Sequence, residues 1–200
     1  MAMTPEEALQ IVRTHLTESR YMHTLGVRET AIALAKKYQA NVQKAELAAI
    51  FHDICKYHDN KEMEKTVTTI LNESDWAQYG KELLHAPCGA FFIQQNLGIE
   101  DEEILQAVKS HTTGRANMSL LEKVIFVADY IEPNRKFPGV ETARDLASRN
   151  LDEACQFSLK QTMLYLLSKE LPIHPETMSA YNFYILKGEK ISESTFSNGG

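Results

Sequence analysis

Apolar residues recur along this chain at spacings of three and four, and that period predicts one helix after another. The segment TPEEALQIVRTHL (4–16) opens with Thr4 as N-cap, Pro5 in the first helical position and Glu7 three residues after the cap, a capping-box signature. Eight more helical segments are predicted: 20–39, 41–57, 61–73, 86–98, 100–112, 119–132, 139–171 and 174–187. Asn41, Asn60, Gly80, Gly98, Gly114, Pro133 and Pro138 punctuate them. The best strand candidate, KVIFVADYI, fits a helical stripe of Leu121, Val124, Ile125 and Ala128 better than a period of two. The expected fold is all-α. A single domain over 1–190 is expected, followed by a flexible polar tail over 191–200.

Several polar residues stand on the apolar faces of these helices. His52 follows Ala48 and Ala49, and Asp53 follows Ala49 and Ile50, in a segment (LAAIFHDIC) that is apolar nearly all round. His111 lies on the stripe of Ile104, Ala107 and Val108, and Asp129 adjoins that of Leu121, Val124, Ile125 and Ala128. His23 shares a face with Val27, Thr30 and Leu34. His85 precedes the buried-looking APCGAFF. A single core histidine is most often bonded to a backbone carbonyl, but six such residues from different segments change the balance. Unpaired buried carboxylates cost several kcal/mol, about 3 to 5 when a partner is removed, and no lysine or arginine is placed by spacing to serve both aspartates. A metal site would solve this, since imidazole with carboxylate suits Zn, Fe, Mn, Co or Ni. His15, His58 and His174 are expected in surface, loop or capping roles.

Composition narrows the classes further. The chain has 200 residues, 44% hydrophobic and 24% charged, with a formal charge of −6. Acidity without a Lys/Arg cluster argues against a nucleic acid polymer as partner. Cys55, Cys88 and Cys155 form no C-x-x-C pair and are expected to be core residues. No window resembles a membrane span, and charges in the first twenty residues are unlike a signal peptide, so a cytoplasmic protein is expected.

The order His23, then His52-Asp53, then Asp129 resembles the H…HD…D pattern of the HD-domain superfamily of metal-dependent phosphohydrolases. RYMHTLGV, FHDICK, LLHAPCGA, HTTGR and ADYIEPNRKFPGVE are similar to signature segments of its bacterial YqeK-type subfamily, over most of the chain from Arg20 onward. That resemblance implies an HD-domain helical bundle with a buried metal site and symmetrical bis(5′-nucleosyl)-tetraphosphatase activity, splitting diadenosine tetraphosphate into two ADP. It implies two divalent ions, iron first, with Mn, Co, Ni, Zn or Mg as alternatives. His23, His52, Asp53 and Asp129 would surround one ion, His85 and His111 would hold the second, and Asp53 would bridge.

Two ions would contribute +4 against −2 from the aspartates, drawing in polyphosphate, and a metal-bound hydroxide is the expected nucleophile. Lys56, four residues after His52, is expected to cover the leaving group, with Arg20, Arg115 and Arg135 as further phosphate contacts. Asp53, Lys56 and Arg135 form the expected catalytic set. Thr112 and Thr113 could bond phosphate or end a helix, and Glu132 could support the site or pair with Arg135. Other HD-type activities, such as guanosine tetraphosphate or nucleotide pyrophosphate hydrolysis, use the same ligands. A non-catalytic nucleotide sensor is the alternative from another class. A small nucleotide is the expected partner, and a homodimer is compatible with the sequence.

Overall fold

A computed structural model describes the backbone of residues 3–196 and the side chains of residues 3–187. Among the described residues, ten α-helices carry the fold: α1 (Pro5–His15), α2 (Glu18–Tyr38), α3 (Val42–Phe51), α4 (Asn60–Lys65), α5 (His85–Leu97), α6 (Glu102–Ser110), α7 (Leu120–Ile131), α8 (Val140–Arg149), α9 (Leu151–Ser168) and α10 (Pro175–Phe196). No strand occurs among the described residues. The helix starts follow the sequence chemistry. Thr4 and Glu7 close a reciprocal capping box at α1, as Ser119 and Glu122 do at α7. Thr17, Asn41, Asp101 and Asn150 each accept a backbone N–H at the start of α2, α3, α6 and α9.

Helices α2, α3, α6 and α7 pack on one another at the centre, with α5 against α6, α9 against α7 and α8, and α10 against α9. The core is rich in small residues where helices approach closely: Ala31, Ala35, Ala45, Ala48, Ala49, Ala107 and Ala128 are all fully buried. The three cysteines are free and buried, as expected. No helix among the described residues is long and apolar enough to cross a membrane.

Three predicted elements differ from what forms. Residues 41–57 are not one helix. α3 stops at Phe51, and the chain continues in tighter turns closed by i→i+3 bonds from Ile54 to Phe51, Lys56 to Asp53 and His58 to Cys55. His52 is thus the C-cap of α3, and Asp53 lies just beyond it. Residues 139–171 divide at Asn150, whose extended backbone (φ −148°, ψ 114°) ends α8 while its side chain caps α9. The helix over 61–73 is short, because α4 widens into a π-type turn over Thr66–Ile70. In the region expected to be a tail, the α10 backbone is helical to Phe196, and 197–200 lie outside the described residues.

Candidate metal centre and cleft

The six residues singled out by their placement on apolar faces come together at one point. His23 comes from α2, His52 and Asp53 from the end of α3, His85 from the start of α5, His111 from the end of α6 and Asp129 from the last turn of α7. Helix ends supply most of them, because a terminal residue can leave the helical register and aim its side chain across the bundle. His52 and Asp53 are fully buried, and His23, His85 and His111 nearly so.

The hydrogen bonds behind the rings fix their chemistry. His52 Nδ1 lies 2.7 Å from the Ala49 carbonyl, His85 Nδ1 2.7 Å from that of Glu82, and His111 Nδ1 2.7 Å from that of Val108. Carbonyl oxygens only accept, so each Nδ1 carries the proton. His23 Nδ1 donates to the buried Glu132 carboxylate at 3.1 Å. With Nδ1 engaged behind all four rings, Nε2 is the nitrogen each turns to the centre, where it offers its lone pair to a cation.

Those lone pairs converge without donors between them. His23 and His52 bring their Nε2 atoms within 3.3 Å, and His85 and His111 within 3.1 Å. Asp53 stands between the two pairs, with Oδ2 2.9 Å from His52 Nε2 and Oδ1 3.0 Å from His85 Nε2. Asp129 Oδ1 lies 3.0 Å from His23 Nε2. Asp53 Oδ1 is buried without a hydrogen-bond donor, whereas Oδ2 has the Arg20 guanidinium against it. Acceptors that face one another at these distances repel unless a cation sits among them. His23, His52 and Asp129 make one compact group, and His52, Asp53 and His111 another. The donor set thus fits divalent metal, with Asp53 placed between the two halves.

The charge environment supports ionised carboxylates, and beside them the His52 imidazole is raised, against its burial, by Asp53 and Asp129. Burial would raise the Asp53 carboxyl, but His52 and His85 outweigh it and hold it well below the usual carboxylate range. Asp129 is likewise held low against its burial, by His23, His52 and Arg135. His111 is pushed down to about 3, by burial first and then by His52 and His85, which keeps its ring available as a ligand.

The arginines were not legible as partners. Arg20 places its guanidinium against Asp53 Oδ2, and Arg135 Nη2 donates to Asp129 Oδ1 at 2.8 Å. Each aspartate thus has its own arginine, while no single cation pairs with both. Buried carboxylates alone are for that reason weaker evidence of metal than the opposed Nε2 atoms.

A cleft of about 430 Å³ opens over the centre, and Arg20, Lys56, His85, His111, Thr112, Asp129 and Arg135 line it as the sequence suggested. Three expected contacts lie elsewhere. Arg115 turns away to grip the buried Glu122 through Nε (2.6 Å) and Nη2 (2.7 Å), and Thr113 lines a separate cavity. Glu132 is buried behind His23, bonds the Asn134 N–H at 2.7 Å, and makes no pair with Arg135. Of the other histidines, His15 and His58 bond each other at 3.0 Å, and His174 is a buried cap, not a surface residue.

The cleft also has residues that sequence reasoning missed. Glu82 pairs with Lys56 at 3.1 Å on the rim, and Phe126, Tyr130, Phe137 and Tyr165 give it an aromatic side. No local pattern marks these aromatics, which read as ordinary core or surface positions until α7, α9 and the 133–139 loop are brought together. Arg144 was also missed. It donates to the carbonyls of Ile131 (2.9 Å), Glu132 (2.8 Å) and Arg135 (3.1 Å), holding the loop that carries Arg135.

Comparison with known proteins agrees with this geometry. The chain is 56% identical over 185 residues to a symmetrical bis(5′-nucleosyl)-tetraphosphatase of Halalkalibacterium halodurans, covering 92% of this chain and 99% of that one. It is 48% identical over 183 residues to the protein of the same name from Bacillus subtilis, covering 92% and 98%. Among solved structures, one described as a predicted HD superfamily hydrolase involved in NAD metabolism, from Clostridium acetobutylicum, matches with a TM-score of 0.87 at 36% identity. It covers 94% of this chain and 100% of that one. The HD domain family model matches residues 20–134, the span that holds all six converging side chains, and the chain belongs to the HD domain family.

Proposed function

We propose that this protein hydrolyses dinucleoside tetraphosphates symmetrically, converting diadenosine tetraphosphate and water into two ADP. The observation that carries the reading is the division of one buried ligand cluster by the two oxygens of Asp53, beneath a cleft rimmed by cations. The two relatives reported above carry the name of that activity. Two divalent ions fit the two halves, iron being the expected one, with His23, His52, Asp53 and Asp129 around the first and His85, His111 and Asp53 around the second. When bound, such a pair supplies Lewis-acid polarisation of phosphoryl oxygens and lowers the pKa of water.

The residues of the chain account for the rest. Water adds to the second phosphorus from one ribose, the bridging P–O bond to the third phosphorus breaks, and the departing ADP keeps the bridging oxygen. Arg20, Lys56 and Arg135 stand where they can neutralise the central phosphates, and arginine forks match phosphate oxygens in pairs. Thr112 Oγ1 is buried without a partner at the cleft wall and is free to bond a phosphate oxygen. A nucleoside diphosphate is a weakly basic leaving group, so cationic cover substitutes for full protonation. Tyr130, Phe137 and Tyr165 offer faces on which a nucleobase can stack.

The test is incubation of the metal-loaded protein with diadenosine tetraphosphate, beside Asp53→Ala, with chromatographic separation of products. ADP alone from the wild type, with neither product nor full metal content in the variant, is the expected result. AMP with ATP would overturn the symmetrical attack, and wild-type activity in Asp53→Ala would remove its bridging role.

A further inference from the structure

The segment Ser110–Arg115 is a wall with two sides. His111 and Thr112 face the cleft described above, while Ser110, Thr113, Gly114 and Arg115 line a different cavity of about 490 Å³. Its opposite side is formed by residues 72–76 and the start of α10. Nothing in the hydrolytic reading uses it.

Two residues that line this cavity, His174 and Glu73, each carry a buried polar atom that lacks a partner. His174 is 5% exposed, and its Nδ1 accepts the Glu176 N–H at 3.2 Å, so the proton of the neutral ring is on Nε2. That Nε2–H is buried and donates to nothing. Glu73 gives one carboxylate oxygen to the Lys109 ammonium, and its other oxygen is buried with no donor. An unmet donor and an unmet acceptor on two side chains that line one cavity cost free energy that a ligand with complementary groups would recover. The His174 ring packs against Trp76, with centroids 4.5 Å apart, which sets a flat aromatic surface beside the donor.

Charge selects the chemical class. Lys109 is matched by Glu73 and Arg115 by Glu122, whereas Asp75 and Glu176 add two negative charges to the walls. A polyphosphate is disfavoured there, and a flat, uncharged group that carries an acceptor beside a donor is favoured. Purine bases have that edge: adenine sets its amino donor next to a ring nitrogen, and guanine sets its N–H donors next to O6. The volume lies within the range of small-ligand sites.

We infer that this second cavity binds the base of a purine nucleoside through His174 Nε2–H and the free oxygen of Glu73, separately from the hydrolytic cleft. The experiment is calorimetric titration of the metal-loaded protein with adenosine and with guanosine, while inorganic pyrophosphate saturates the hydrolytic cleft. One nucleoside should bind per chain, and Glu73→Gln should weaken it tenfold or more while leaving hydrolysis without added nucleoside at the wild-type rate. His174→Leu should show the same loss. Glu73→Gln keeps the test open if the buried histidine proves necessary for folding. Absence of saturable binding by either nucleoside, abolition of binding by pyrophosphate, or binding that Glu73→Gln leaves within twofold of wild type would overturn the inference.

Discussion

Gly26→Ala sets helix propensity directly against site geometry. Gly26 lies in the interior of α2, where alanine normally stabilises by about 1 kcal/mol. It also sits one turn after His23, and a Cβ built there would stand 2.5 Å from Glu132 Oε2 and 3.3 Å from its Cδ. That carboxylate has little freedom to yield, because it is 2% exposed and is held by His23 Nδ1 at 3.1 Å and the Asn134 N–H at 2.7 Å. Losing one such charged hydrogen bond costs about 2 kcal/mol, so the net change is about 1 kcal/mol of destabilisation. For a chain of this size that lowers Tm by about 2–4 °C. The His23 ring loses the group that fixes its orientation, and metal affinity should fall by about 10- to 100-fold. Chelator competition on the metal-loaded protein, with thermal unfolding of the metal-free form, reads both quantities. A variant that gains stability, as helix propensity alone predicts, and holds metal like the wild type would refute the role given to Glu132.

Further substitutions separate the parts of the site. Lys56→Ala should leave metal content unchanged and lower kcat/KM by about tenfold or more, whereas Glu82→Gln, which releases Lys56 from its rim pair, should lower KM; steady-state kinetics check both. Arg144→Met removes three bonds to the carbonyls of the 131–135 loop and should reduce kcat/KM by about tenfold through displacement of Arg135, with metal content unchanged by elemental analysis. Glu122 tests acid stability. Burial alone would raise its carboxyl, but Arg115, the Ser119 N–H and Ser110 together hold it below the ordinary 4.5. Its contribution is thus complete above that value and is lost as pH falls through the depressed one. Glu122→Gln should cost about 1–2 kcal/mol at pH 7, discounted because Arg115 is partly exposed, and much less at pH 3, as denaturant titrations at the two pH values would show.

The helices were legible because their signals are local. Period, caps and breakers lie within a few residues of each other, as in the Thr4–Glu7 and Ser119–Glu122 boxes. Where the readings failed, the deciding force was not local. The stretch from Ala48 to Cys55 is apolar enough to extend α3, yet the helix stops at Phe51, and the tighter turns that follow carry His52 and Asp53 toward the other converging side chains. Asn150 gave no clear stop signal, since asparagine is tolerated within helices, but it breaks one helix and caps the next.

By itself the sequence determined the all-α class and the six candidate ligands, because a polar side chain on an apolar stripe is visible wherever the helical period is known. The tertiary structure alone decided how those side chains meet: two pairs of histidines joined through Asp53, with Arg20 and Arg135 each assigned to one aspartate. It also decided that Glu132 locks His23, that Arg115 faces away from the cleft, and that His174 and Glu73 share a second cavity. Periodicity tells which face of a helix a residue occupies. Distances across the bundle depend on helix ends, crossing geometry and loop paths, none of which is encoded within a few residues of the groups they bring together.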